Sequence, residues 1–249
     1  MCILLVAYQV HPQYDLVIAA NRDEFYARPT AAAAVWPGQP TLWAGRDLQA
    51  GGTWLGVNQR GHFGAVTNLR GGFSPAAGLS RGHLVRDFLQ GQEGAETFID
   101  ALRPDASRYA GCNLMLSDHS SLWWWSNDAY RRLEPGVYGI SNTPLDQAWP
   151  KVERLKSAFA PLCHLTGPHL TEALFGILLD GSAIGCVPTV PDLRRLEETI
   201  FVRSQSYGTR CSSVVLRSPV EESVDFVERR YTPDAKSAGE SRFVIAMLP

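Results

Sequence analysis

Two apolar runs near the start constrain the fold more than any other feature of the 249 residues. Residues 2–9 and 15–21 are almost continuously hydrophobic, and His11-Pro12-Gln13-Tyr14-Asp15 forms a hairpin connection between them. A strand with one wet face alternates apolar and polar residues, whereas an unbroken apolar run needs cover on both faces. The pair is therefore expected in the middle of a sheet, with further layers packed against both sides.

The rest of the chain supplies those layers. Arg28-Pro29-Thr30 through Pro37-Gly38 and Pro40 reads as an irregular stretch. A second hairpin follows, from Thr53-Trp54-Leu55-Gly56-Val57 through the turn Asn58-Gln59-Arg60-Gly61 into residues 62–67. Leu84, Val85, Phe88 and Leu89 then fall on one helical face, with Ser80 placed as N-cap. A short helix is expected over 94–103, and strands over 112–117, 121–126, 129–133 and 137–140. Two more helices, 149–162 and 170–180, carry the stripes Val152, Leu155, Phe159, Leu162 and Leu170, Leu174, Ile177, Leu178. Strands return at 211–217, 223–231 and 242–248. Strands grouped apart from helices and joined by hairpins predict an α+β fold with mainly antiparallel sheets, as a single domain over 1–249. In the Trp123-Trp124-Trp125 run, alternation puts Trp124 on one face and its neighbours on the other, with one ring exposed.

Composition narrows the classes of function. Hydrophobic content of 45%, charged content of 19% and a net charge of −2 describe an ordinary soluble globular protein, with no basic footprint for nucleic acid or an anionic membrane. The longest apolar runs, about seven residues, are too short for stable membrane insertion. The start lacks the basic n-region of a secretory signal. Cys2, Cys112, Cys163, Cys186 and Cys211 are odd in number and scattered, which suits free thiols in a reducing cytoplasm. The histidines make no metal-binding pattern, so no metal is expected.

Chemistry concentrates at strand ends. If Met1 is trimmed, Cys2 carries a thiol of pKa ~8.5 and an α-amine of pKa ~8 on one residue, a nucleophile with its own base. The competing reading of Cys2 is a small apolar residue opening a buried strand. Asn21-Arg22-Asp23-Glu24 is the densest polar cluster and directly follows the second buried run. Asp23 could orient the amine and Arg22 could hold a thiolate or a carboxylate; a solvated strand end with a local ion pair is the alternative. Thr67-Asn68 and Ser141-Asn142-Thr143-Pro144 close two strands. An Asn amide there is either an oxyanion donor worth about 3–4 kcal/mol in the transition state or an ordinary turn residue. Arg210 stands at a further strand edge with the same two readings.

These segments closely resemble the NRDE family, whose eukaryotic members are called transport and Golgi organisation proteins. The resemblance rests on Met1-Cys2, Ala19-Ala20-Asn21-Arg22-Asp23-Glu24-Phe25-Tyr26-Ala27-Arg28-Pro29-Thr30, Ala44-Gly45-Arg46-Asp47, Gly51-Gly52-Thr53-Trp54-Leu55-Gly56 and Thr67-Asn68-Leu69-Arg70. Ser141-Asn142-Thr143-Pro144 and Tyr207-Gly208-Thr209-Arg210 extend it over nearly the whole chain. That family in turn looks like a branch of the N-terminal-nucleophile hydrolases, close to cholylglycine hydrolases and penicillin V acylases. The resemblance implies a four-layer αββα sandwich and catalytic residues Cys2, Arg22, Asp23, Asn68, Asn142 and Arg210. Asn21, Glu24 and Trp54 are the matching candidates for substrate contact. In those hydrolases two residues separate Arg from Asp, whereas here Arg22 and Asp23 are adjacent and face opposite ways along a strand. Asp23 is the safer carry-over, and Asn21 stands as an alternative to Arg22.

Two functions fit. One is a cytoplasmic N-terminal cysteine hydrolase of a linear amide or thioester of a small apolar acyl compound, needing no cofactor. The other is a non-catalytic carrier or chaperone of a hydrophobic ligand such as haem or acyl-CoA; haem trafficking and lipid metabolism have been proposed for the resembling family. A purely structural interaction protein, marked by a broad exposed apolar patch, is a third class.

Overall fold

A computed structural model describes residues 2–36, 39–71, 75, 78–127, 129–181 and 197–248. Met1 and Cys186 lie outside the described residues. The two opening runs become β1 (Cys2–Tyr8) and β2 (Leu16–Phe25), paired antiparallel. They sit inside a six-stranded sheet with β10 (Gly136–Ile140), β11 (Tyr207–Ser218), β12 (Ser223–Tyr231) and β13 (Ser237–Ala246) in the order β10-β1-β2-β11-β12-β13. The unbroken hydrophobicity is explained by what covers them. Leu4, Val6, Leu16 and Ile18 enter the core between the sheets, while Ile3, Leu5, Val17 and Ala19 pack against helices α3 (Pro150–Phe159) and α4 (Gly167–Leu178).

The second sheet has seven strands in strict chain order: β3 (Thr30–Trp36), β4 (Gln39–Asp47), β5 (Leu55–Asn58), β6 (Phe63–Asn68), β7 (Cys112–Ser117), β8 (Leu122–Ser126) and β9 (Ala129–Leu133). Helices α1 (Arg81–Gln90) and α2 (Ala95–Leu102) cover its outer face. Helix, sheet, sheet and helix give four layers, and every pairing within the sheets is antiparallel. The α1 stripe Leu84, Val85, Phe88 and Leu89 is wholly buried, each side chain contributing roughly 1.5–3 kcal/mol of transfer free energy.

Two expectations need correction. The stretch expected to be irregular is a hairpin, β3–β4. Its alanines have low strand propensity, but tertiary pairing overrides it, and Pro40 falls outside Leu42–Ala44, the part of β4 that β5 also pairs. The Trp123-Trp124-Trp125 rings alternate faces as expected, yet none is exposed. Trp124 enters the inter-sheet core and the other two pack under the helices. Ser80 occupies the N-cap of α1, but its hydroxyl makes no cap bond. The described cysteines are free thiols.

Candidate active site

Pairing register brings the polar strand ends together. Cys2 lies opposite Arg22 across β1–β2, and Asp23 lies opposite Thr209 across β2–β11. Period-two alternation sends Cys2 and Arg22 to the inter-sheet side, with Leu4 and Ala20, and sends Asn21 and Asp23 to the helix side, with Ala19. Arg22 and Asp23 do point opposite ways, as their adjacency demands. Both still border one cavity of about 120 Å³, because it opens at the ends of these strands beside Cys2, Glu24, Trp54 and Asn68. Adjacency therefore keeps neither residue from the cavity wall. The Asn21 amide is engaged elsewhere: it donates to the Leu178 and Ile200 carbonyls, each at 2.9 Å, and accepts the Ser212 hydroxyl at 2.6 Å. It ties down the end of α4 on the far side of the sheet.

Each cavity residue is held by a nameable contact. The Arg22 guanidinium lies 4.2 Å from the Trp54 ring centroid, donates to the Thr30 hydroxyl at 3.0 Å, and stands 3.9 Å from both Glu24 and Asp47. Trp54 can lie there because Gly45 leaves room; a Cβ on Gly45 would sit 2.3 Å from the indole. The Asp23 carboxylate accepts the Thr209 hydroxyl at 2.7 Å. Ser141 donates from its hydroxyl to the Cys2 carbonyl at 2.6 Å, fixing the start of β1. Burial pushes the Cys2 thiol up from its ordinary value, and the Asp23 charge adds to this; the Asp23 backbone N–H and Arg22 act in the opposite sense. At rest the sulfur is a thiol, so a nucleophilic role needs a base that removes its proton.

The two candidate amides have different situations. Asn68 is exposed at the end of β6 and borders the cavity. Asn142 is buried and spends its side-chain N–H on the Asn68 carbonyl at 2.6 Å. It positions Asn68 and is not among the residues that line the cavity. Arg210 is displaced from the cavity by a β-bulge: pairing shifts between Thr209 and Cys211, and its guanidinium caps the Phe25, Tyr26 and Arg28 carbonyls at 3.0–3.2 Å. It borders a different hollow, of about 140 Å³, with Trp54, Glu228 and Arg230. A third, apolar recess of about 20 Å³ adjoins Cys2 on the inter-sheet side, against Leu4, Ala20, Leu55 and Ala65.

Sequence reading passed over several residues. Arg28 pairs with Asp47 at 2.7 Å on the cavity wall, and Arg81, the first residue of α1, borders the cavity as well. Lys151 has no exposed surface, and its ammonium makes no hydrogen bond among the described residues; it lies 5.4 Å from the Trp149 ring, with Asp23 and Cys2 among its titratable neighbours. Burial pulls Lys151 down and pushes Asp23 up, while each opposes the other's shift. One signal was available, since Lys151 shares a helical stripe with Leu155 and Phe159 at four-residue spacing.

The fold has a solved counterpart. A variant of the conjugated bile acid hydrolase of Clostridium perfringens superposes with a TM-score of 0.50 at 12% identity, over 97% of this chain and 92% of that one. Sequence relatives lie much nearer. The Transport and Golgi organization protein 2 homolog of Bos taurus is 31% identical over 257 residues, covering 92% of both chains. The human homolog is 29% identical and covers 97% of both. With the Transport and Golgi organisation 2 family matching residues 1–233, this chain belongs to that family.

Proposed function

We propose that the protein is an N-terminal cysteine hydrolase that cleaves the amide, or thioester, of a small acyl compound. The observation that carries this reading is the half-buried Cys2 thiol facing a small polar cavity, with Arg22, the Asp23 N–H and the Asn68 amide around it. After Met1 is removed, the α-amine of Cys2 takes the thiol proton, and general-base help of this kind is worth roughly 10²–10⁴ in rate. The thiolate attacks the acyl carbon; the Asn68 amide donates to the oxyanion; the proton passes to the leaving amine as the C–N bond breaks. Water then attacks the Cys2 thioester, returning the thiol and releasing the acid. The bile acid hydrolase likeness supports the sandwich on which this chemistry would be arranged.

Cavity size and lining favour a small polar substrate over haem or a long acyl chain. About 120 Å³ is well under the ~300–1,000 Å³ of pockets that enclose drug-sized ligands. The carrier reading gains no such observation. The test is intact mass of the purified protein together with hydrolysis of a panel of short acyl amides and thioesters. A chain starting at Cys2 is expected, with turnover lost in Cys2→Ala and Cys2→Ser. Turnover that survives Cys2→Ala, or full turnover in a preparation that retains Met1, overturns the proposal.

A further inference from the structure

The cavity beside Cys2 holds three guanidinium groups, and two of them are already used. Arg28 pairs with Asp47 at 2.7 Å and approaches Glu24 at 3.8 Å. Arg22 lies on the Trp54 ring between the same two acids. Arg81 differs. Among the described residues no carboxylate comes within ion-pair distance of it, and its one hydrogen bond goes to the Gly111 carbonyl at 3.2 Å. The side chain is nevertheless half-buried on the cavity wall, where burial holds the guanidinium below its ordinary range. Its titratable neighbours are the Cys112 and Cys2 thiols, Glu24 and Arg28. A guanidinium stays ionised in such a place and offers a planar fork of donors.

The backbone around Arg81 is fixed. Gly52 and Gly82 are pressed together so closely that a Cβ on Gly52 would sit 2.4 Å from the Gly82 carbonyl carbon. Thr53 N–H donates to the Gly82 carbonyl at 3.1 Å. These contacts hold the first turn of α1 against the same wall as Cys2.

We propose that Arg81 binds a carboxylate on the substrate, so that the hydrolysed compound is a short acyl derivative carrying a second, ionised acid group. This rests on the hydrolase reading for its substrate, while the anion site itself does not depend on turnover. The recess beside Leu4 and Ala65, of about 20 Å³, has room for about one methyl-sized group of such a compound, and the polar cavity takes its charged end. Glu24 would attract a cationic end group, but it is already shared between Arg22 and Arg28, so its charge is less available than that of Arg81.

Iodoacetate and iodoacetamide test this directly. Both form the same S–C bond at Cys2 and expel the same iodide, differing only in carboxylate against amide. The rate ratio of the two reagents is read at the Cys2 peptide by mass spectrometry, with the half-buried Cys163 of the same molecule as internal reference. Changes in thiol ionisation cancel in the ratio. A charge-assisted bond of 1.5–3 kcal/mol predicts an iodoacetate preference at Cys2 about ten-fold or more above that at Cys163, reduced several-fold in Arg81→Gln. In the wild-type protein, succinate should slow iodoacetamide at Cys2 and succinamide should not. A ratio at Cys2 equal to that at Cys163, a raised ratio unchanged by Arg81→Gln, or no protection by succinate overturns the proposal. Selective iodoacetate labelling without any turnover would sink the hydrolase and leave the anion site standing. Cys2-dependent turnover without selectivity would do the reverse.

Discussion

Lys151 shows what one residue can cost when its environment is chosen by the fold. An ammonium with no exposed surface, and no hydrogen bond among the described residues, is costly to bury, and the Asp23 charge offsets part of that cost. Removing one of two opposite buried charges withdraws that offset from the other, at up to about 3–5 kcal/mol. Lys151→Met should therefore lower unfolding free energy by about 3 kcal/mol, and adding Asp23→Asn should recover part of it. Urea unfolding of the four members of that cycle checks this; strictly additive losses would show that the two charges are not coupled. The same scale shows what a single sequence conceals. Asn21-Arg22-Asp23-Glu24 is recognisable as a functional cluster from its place after a buried strand. Which member faces which layer depends on register with β1 and β11, and those pairings span up to nearly two hundred residues of chain. Arg81 carried no local signal for the same reason, since Gly52 and Gly82 meet only in the folded chain.

Between residue and molecule, elements set directions. The bulge in β11 adds Arg210 as an extra residue, so that Thr209 faces Asp23 while Cys211 stays opposite Arg22. Arg210→Ala should cost about 1–2 kcal/mol through the lost carbonyl caps, with iodoacetamide reactivity of Cys2 unmoved. A fall in that reactivity would return Arg210 to the site. The turn between β5 and β6 carries a pH dependence. His62 is buried against Phe88, with Arg60, Asp118, His119 and Arg217 as its charged neighbours, and burial pulls it down to about 4. The folded protein keeps this imidazole neutral, whereas the unfolded chain protonates it below about 6.5. Its effect on stability is thus absent above pH 6.5 and grows as a loss while pH falls towards 4, to about 3 kcal/mol. Unfolding midpoints from pH 7 to pH 4 should fall less steeply in His62→Phe; identical slopes would contradict the burial argument. Helices were easier to read than the β3–β4 hairpin, because Leu84, Val85, Phe88 and Leu89 announce a face by spacing alone. Thr30–Trp36 has no such pattern, and its strand exists through pairing with β4.

Across the whole molecule, the two sheets bury their shared face and each carries helices outside it, so protection should decrease from centre to edges. Amide exchange is expected to be slowest in β1, β2 and β11, and faster in the edge strands β3 and β13. Equal protection in β13 and β2 would contradict the layered core. The unbroken hydrophobicity of β1 and β2 made this central position legible, and antiparallel pairing followed from short connections. Strand order in the first sheet was not legible, because β10 and β11 arrive from distant parts of the chain. Trp54 acquires a meaning only at this scale. Its indole borders the hollow containing Cys2, the apolar recess and the chamber of Glu228 and Arg230. One ring is thus the partition that keeps three rooms apart. Pared back to alanine it would leave a through-passage, and the tolerance for an occupant's length would be decided by a door rather than by its walls.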